Sequence, residues 1–150
     1  MSHHPVVIIG GGFAGVFTAR ALLKRNIPVT LVSETNHFTF TPLLHEVATG
    51  SLIAHDVMFE YESFFHSHQF RFVRGRVTRV DRTAKEVHVG TDRIAYQYLV
   101  IATGSTTNFY SMSGTEHAYT LKSVEDAVKL KRAIISRAQE ADRRVVVPVV

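Results

Sequence analysis

One segment near the amino terminus constrains the fold more than any other. Val6-Val7-Ile8-Ile9 is a continuous β-branched run, which is typical of a strand buried on both faces of a parallel sheet. It runs directly into Gly10-Gly11-Gly12-Phe13-Ala14-Gly15, and helix-forming residues continue to position 25. A second apolar strand follows at residues 29–32. The pattern predicts a βαβ unit with a right-handed crossover, and therefore an α/β fold with a parallel sheet.

Beyond this unit the periodicity of the chain changes. Residues 36–53 form an irregular connector, and residues 57–68 have the spacing of a short amphipathic helix. Phe70 and Phe72, residues 77–80, and Val87 with Val89 then alternate with polar residues, which predicts a small antiparallel meander inserted into the fold. The buried-strand pattern returns at residues 99–102, where we expect the chain to rejoin the parallel sheet.

The last third of the chain predicts a loop followed by a helix. Residues 105–120 contain no clear periodicity, and Ser123-Val124-Glu125-Asp126 resembles a capping box that begins a helix ending near Gln139. Residues 145–150 are apolar but contain Pro148, which a central strand would not tolerate. We expect residues 1–150 to be one domain that stops short of a further domain.

Composition excludes several classes of protein. A chain that is 45% hydrophobic and 20% charged fits an ordinary globular domain, and its apolar runs are far shorter than a membrane-spanning helix needs. No leader precedes the first strand, which favours a cytoplasmic location. The chain has no cysteine, and its histidines do not cluster with acidic residues, so we expect no metal site. The net charge of +4 is modest, so we expect a solvated basic face and no nucleic-acid partner.

The glycine-rich segment fits G-x-G-x-x-G through Gly10, Gly12 and Gly15, between a strand and a helix. In a dinucleotide site the first glycine permits a tight turn, the second lets a pyrophosphate approach the backbone, and the third allows close helix packing. The phosphates then face the amide groups and the positive end of the helix. The alternative is a glycine-rich turn with no ligand.

Glu34 follows the second strand, about 20 residues after the glycine loop, where a ribose-binding acid is expected. A carboxylate at this position accepts hydrogen bonds from the ribose hydroxyls and repels a 2′-phosphate, which favours NAD or FAD over NADP. The alternative is an exposed glutamate at a strand end. The two motifs leave open which of the two dinucleotides binds.

Longer matches make the resemblance more specific. The segments that match are residues 7–15, Phe40-Thr41-Pro42-Leu43-Leu44-His45-Glu46-Val47-Ala48-Thr49-Gly50, residues 98–109 with Ala102-Thr103-Gly104, and residues 120–127. With these segments the chain resembles the N-terminal FAD-binding part of the flavoproteins that have two dinucleotide-binding domains, and most closely the type II NADH dehydrogenases. The fold that this resemblance implies is a Rossmann-like FAD-binding domain.

The resemblance also implies roles for particular residues. Gly10, Gly12, Phe13, Ala14, Gly15 and Glu34 would hold the ADP portion of FAD, and Val77 would contact adenine through its backbone. Ala102, Thr103 and Gly104 would pass near the pyrophosphate and ribityl side, and residues from Pro42 to Ala48 would run toward the isoalloxazine. From the pattern alone, the last two segments could instead be a strand-ending turn and a buried loop.

The implied activity is hydride transfer from NADH to FAD and reduction of a quinone, with no catalytic side chain required. Disulfide reductases and sulfide:quinone oxidoreductases of the same fold use thiols beside the flavin, and this chain has none. It also lacks a second G-x-G-x-x-G for NADH, so we expect a second chain to carry the NADH-binding domain. The full-length family docks on membranes peripherally, at the inner face. Two alternatives remain: a non-catalytic module or inactive truncated fragment, and a module that binds NAD alone.

Overall fold

The computed structural model describes residues 5–140 and 149. The strands are β1 Val6–Ile9, β2 Val29–Ser33, β3 His37–Thr39, β4 Met58–Glu60, β5 Phe70–Arg74, β6 Val77–Asp81, β7 Glu86–Val89, β8 Asp92–Ala95 and β9 Tyr98–Ile101. The α-helices are α1 Phe13–Leu23, α2 Leu44–Thr49, α3 Tyr61–Phe64 and α4 Val124–Glu140. These elements divide between two compact units, the first containing residues 5–38 and 59–104, the second residues 39–58, 105–140 and 149.

The first unit is built on a four-stranded parallel sheet in the order β5-β2-β1-β9. Val6 pairs in register with Val29 on one side and with Tyr98 on the other. The central strand β1 is buried along its whole length, as its β-branched run predicts. Because all four strands are parallel, their carboxyl ends meet at one edge of the sheet. The strand order reverses at β1, which has β2 on one side and β9 on the other. The α/β fold predicted from the sequence is confirmed.

A three-stranded antiparallel meander, β6-β7-β8, packs in the same unit. Its buried side chains join those of the parallel sheet in one apolar cluster that includes Val7, Ile9, Val87, Val89 and Ile94. The inserted meander is confirmed, but its predicted membership was partly wrong. The alternation of Phe70 and Phe72 marks β5, which pairs in parallel with β2 at the edge of the main sheet. An edge strand of a parallel sheet is half exposed, so it has the same alternation as a meander strand.

Two other sequence predictions were wrong. The helix predicted over residues 57–68 contains only α3, because β4 precedes it and aromatic packing around Phe65 follows it. Residues 99–102 were predicted as a buried strand, yet Ile101 is 68% exposed, because β9 forms an edge of the sheet. Apolar runs indicate a strand but do not fix its place in the order.

The second unit is a pair of packed helices. Helix α2 lies within the segment predicted as irregular, and Gly50 ends it with a φ of 90°. Leu44, Val47 and Ala48 of α2 are buried together with Val124 and Ala127 of α4. The spacing of the three α2 residues is helical, a signal that the nearby proline and glycine obscured.

Helix α4 begins as predicted. The Asp126 backbone N–H donates to Ser123 Oγ at 3.1 Å, and the Ser123 N–H donates to the Asp126 carboxylate at 3.1 Å, which completes a capping box. Burial raises the pKa of Asp126, but hydrogen bonds from the Lys122 N–H, Thr120 and Ser123 outweigh it and leave the pKa below its ordinary value. Of the predicted apolar segment 145–150, the structure describes only Val149, and Pro148 lies outside the described residues.

Candidate dinucleotide-binding site

A cavity of about 470 Å³ lies at the carboxyl edge of the parallel sheet. Each of the four strands contributes to it through the residues at or just beyond its carboxyl end. The lining residues are Ile9, Gly10, Gly11, Gly12, Val32, Ser33, Glu34, Thr35, Gly75, Arg76, Val77, Ala102, Thr103 and Gly104. Loops at this edge are where open α/β sheets bind their ligands.

Gly10 and Gly15 of the glycine loop pack tightly against the backbone of the first unit. The Gly10 N–H donates to the Val32 carbonyl at 2.8 Å, and Gly10 has a φ of 104°, which side chains rarely adopt. A Cβ on Gly10 would overlap the carbonyl of Ala102, and a Cβ on Gly15 would overlap the carbonyl of Gly10. These contacts fix the loop against β9 and allow α1 to approach β1 closely.

Gly12 has the opposite environment. In residues 5–140 and 149, no atom beyond the adjoining residues of the chain lies within 4 Å of a Cβ built at this position, and Gly12 lines the cavity. The Val16 N–H donates to the Gly12 carbonyl at 2.9 Å and so begins α1. Among the described residues, no side chain caps this helix and no acidic residue lies in its first turn. The space above Gly12 is therefore open, next to a helix end that favours anions.

Glu34 and Arg76 lie together on the cavity wall. Their side chains are 67% and 81% exposed, with Arg76 Nε 3.8 Å from Glu34 Oε1. The neighbouring Arg74 donates from Nε to the Glu34 backbone carbonyl at 3.3 Å, so β5 supports the segment that follows β2. This part of the cavity presents a carboxylate and a guanidinium to solvent.

Tyr61 lies beneath the glycine loop with a side chain only 1% exposed. Its hydroxyl donates to the Gly11 carbonyl at 2.9 Å and lies 3.5 Å from Ser33 Oγ. Burial raises the pKa of Tyr61, and hydrogen bonding with Ser33 and Thr35 acts in the opposite direction. The phenol is thus a protonated donor in a buried position between two cavity segments.

The structure brings together many of the residues predicted to bind the cofactor. Those that line the cavity are Gly10, Gly12, Glu34, Val77, Ala102, Thr103 and Gly104. Phe13 and Ala14 begin α1, and Gly15 is buried in its first turn. Pro42 and Ala48 belong to the second unit, where Pro42 is exposed and Ala48 is buried in α2.

Sequence reasoning missed five polar or glycine residues of the cavity wall, namely Gly11, Ser33, Thr35, Gly75 and Arg76. Ser33 and Thr35 flank Glu34, so their proximity to it was an available signal. Gly75 and Arg76 follow β5, and assigning that strand to the meander removed them from the sheet edge. The role of Tyr61 depends on packing between distant segments and has no local signature.

Residues 5–140 and 149 lack the features of two other kinds of site. No helix in this part of the chain combines the length and apolar character that crossing a bilayer requires. In the same residues, histidine, aspartate and glutamate form no cluster of three that could hold a metal ion.

A parallel sheet with a glycine loop, an open helix end and an acidic residue at its carboxyl edge is a Rossmann-like dinucleotide-binding fold. The chain belongs to the pyridine nucleotide-disulphide oxidoreductase family, whose model matches residues 4–147. The family resemblance predicted from the sequence is thereby confirmed.

Individual relatives agree with this assignment. The type II NADH:quinone oxidoreductase of Mycobacterium tuberculosis is 30% identical over 146 residues, which cover 93% of this chain and 32% of that protein. A sulfide:quinone oxidoreductase from Aquifex aeolicus superposes with a TM-score of 0.81 at 27% identity, over 91% of this chain and 32% of the other. NDH2 from Plasmodium falciparum, solved with NADH, gives 0.77 at 26% identity, over 91% and 30%. The chain spans about a third of the length of these relatives.

Proposed function

We propose that this chain is the FAD-binding portion of an NADH:quinone oxidoreductase. Proteins of its family bind FAD, with NADH as substrate. The observation that carries the proposal is the cavity at the sheet edge, where the open space above Gly12 adjoins an uncapped helix and Glu34 lies on the same wall. A diphosphate needs the first feature and an adenosine ribose needs the second.

The residues present fit the adenosine and diphosphate part of FAD. The amides around Gly12 would bind the diphosphate, because a Cβ there would occupy the space that the phosphates require. Glu34 would accept hydrogen bonds from the ribose, and the Val77 backbone would contact adenine. Ala102, Thr103 and Gly104 would lie along the diphosphate and ribityl chain, and Pro42 and Ala48 would approach the isoalloxazine.

When bound, FAD would supply the redox chemistry, accepting a hydride from NADH and passing electrons to a quinone. The residues of this chain would bind and orient the cofactor, and none need act as acid, base or nucleophile. The NADH-binding domain would come from another chain or from sequence beyond these residues, since this chain contains one G-x-G-x-x-G. A cytoplasmic location at the inner face of a membrane belongs to the same proposal.

A second candidate function is a dinucleotide-binding module without catalysis. The specific observation in its favour is that the cavity of the first unit combines features suited to a diphosphate and an adenosine ribose, groups that FAD and NAD share. Such a module would bind FAD, or NAD alone, and would not transfer a hydride.

An absorbance spectrum of the purified chain, reconstituted with FAD and freed of excess flavin, separates these candidates. We expect a retained flavin band that NADH bleaches anaerobically, faster than free FAD at the same concentration, once a separately expressed NADH-binding domain of a type II NADH:quinone oxidoreductase is added. A retained band that NADH bleaches no faster than free FAD in the presence of that domain would favour the non-catalytic module. Adenine-nucleotide binding without flavin absorbance would indicate a module specific for NAD, and binding of neither would overturn all three readings.

A further inference from the structure

Tyr61 occupies a position that the cofactor-binding motifs do not explain. It lies in the short helix α3, outside the glycine motif, and its ring packs on Phe72 of β5 with centroids 5.1 Å apart. Its backbone N–H donates to the Asn36 carbonyl at 3.1 Å, so both its main chain and its ring are held. A buried hydroxyl fixed in this way can orient whatever it contacts.

The contact that it makes is with the middle of the glycine loop. The hydroxyl donates to the Gly11 carbonyl at 2.9 Å, and a Cβ built on Gly11 would overlap that hydroxyl and its ring carbon. Glycine at position 11, which G-x-G-x-x-G leaves unspecified, is therefore required by Tyr61. The glycine loop and the Tyr61 side chain therefore pack directly against each other.

Peptide geometry connects this contact to the ligand. In a planar trans peptide the carbonyl and the N–H of the next residue point in opposite directions. Since Tyr61 holds the Gly11 carbonyl toward the protein interior, the Gly12 N–H is directed away from Tyr61. Gly12 lines the cavity and has open space around it. The hydroxyl also lies 3.5 Å from Ser33 Oγ, beside the segment that carries Glu34.

From this geometry we infer that Tyr61 is a positioning residue, whose hydroxyl fixes the peptide between Gly11 and Gly12 so that the Gly12 N–H donates to a diphosphate. This inference rests on the proposed function, since it assumes that a dinucleotide occupies the cavity. It assigns Tyr61 a role in recognising the diphosphate in particular, because the hydroxyl acts on the amide that the phosphates meet. Tyr61 itself does not contact the ligand.

The test compares two probes, ADP and adenosine, on three forms of the 150-residue chain: wild type, Tyr61→Phe, and the control Tyr96→Phe. Tyr96 is 8% exposed in the apolar cluster of the same unit and is not one of the cavity-lining residues. We expect Tyr61→Phe to weaken ADP binding about fivefold, equivalent to one net hydrogen bond, and to leave adenosine binding unchanged. Tyr96→Phe should change neither the ADP nor the adenosine dissociation constant.

The outcomes separate this inference from the proposed function. If wild type binds neither probe, the proposed function fails, and the inference fails with it. If wild type binds ADP and Tyr61→Phe leaves its affinity unchanged, or weakens ADP and adenosine equally, the positioning role alone is wrong. If Tyr61→Phe does not fold, 4-aminophenylalanine at position 61 keeps a donor on the ring. It should keep the wild-type ratio of the two affinities, and loss of that ratio in a folded protein would overturn the inference.

Discussion

The two ends of the cavity in the first unit are built by different means. The glycine end consists of backbone packed against backbone and Tyr61, with Gly12 left open toward the cavity. The other end consists of the exposed side chains of Glu34 and Arg76, 3.8 Å apart. In the proposed site, the glycine end would select ligands by shape and by the direction of its amides, whereas the Glu34 end would select by charge. Substitutions should therefore act sterically at one end and electrostatically at the other.

The largest effect is expected where the glycine end is open. Gly12→Asn should weaken FAD binding about 100-fold, because the side chain fills the diphosphate space and removes charge-assisted hydrogen bonds. Asparagine is a preferred N-cap residue, so the free energy of unfolding should change by less than about 0.5 kcal/mol. Equilibrium dialysis and thermal melting measure the two quantities.

Gly90→Asn is the matched control for this substitution. Gly90 lies in the turn between β7 and β8 with a φ of 59°, which asparagine tolerates. In the part of the chain that the structure describes, no atom beyond the adjoining residues lies within 4 Å of a Cβ built there. FAD affinity equal to wild type in Gly12→Asn would refute the assignment of this space to the diphosphate.

The next effect is expected where the glycine end is closed. Gly15→Ala should lower the free energy of unfolding by about 1–3 kcal/mol, because the new methyl overlaps the Gly10 carbonyl and forces the loop apart. Denaturant unfolding measures this change in the free energy of unfolding. Thr18→Ala, about one turn further along α1, serves as the control and should not destabilise the chain. A Gly15→Ala protein as stable as wild type would mean that α1 and the loop are not tightly packed.

A smaller effect is expected at the charged end. Glu34→Gln should weaken ADP binding about tenfold, because a charge-assisted hydrogen bond to the ribose is replaced by a neutral one. It should also reduce the preference for ADP over 2′-phospho-ADP, since Arg76 loses its acidic neighbour. Isothermal titration with both nucleotides measures this, with the exposed Glu116→Gln of the second unit as control. An unchanged preference would remove Glu34 from ribose recognition.

The smallest effect is expected for Arg76. Arg76 would hold the Glu34 carboxylate in position for the ribose through an exposed ion pair, and such pairs contribute about 0–1 kcal/mol. Arg76→Gln should therefore weaken ADP binding only about twofold at low salt. The difference should vanish near 1 M salt, where screening acts within about 3 Å. Arg79→Gln removes an exposed arginine that pairs with Asp81 and does not line the cavity, and it should have no effect. A loss that persists at high salt would indicate a direct contact with the ligand.

What the sequence predicted correctly depends on local signals. The run Val6–Ile9, the glycine loop and the capping box at Ser123 each have a characteristic pattern within a few residues, and the structure has all three where expected. Glu34 lies on the cavity wall as expected, because its distance from the loop is set by the length of one βαβ unit.

The parts that were missed depend on pairing between distant residues. The residues of Phe70–Arg74 contain no pattern that identifies β2 as their partner. The strand was therefore assigned to the meander, and Arg76, which follows it, was left out of the predicted site. Tyr61 reaches Gly11 across 50 residues of sequence, so its contact arises only in the folded chain. Strand register and packing partners are tertiary properties, and they leave no local pattern from which a single sequence could predict them.

The claim on which the account depends is that the glycine loop binds a diphosphate. Glycine-selective ¹⁵N labelling gives one amide signal for each of the nine glycines, and substitutions such as Gly12→Asn and Gly90→Asn assign them. On addition of ADP, the signals of Gly10, Gly11, Gly12 and Gly15 should shift, while that of Gly90 stays fixed. Shifts confined to glycines outside the loop, or no shift with saturating ADP, would contradict the account.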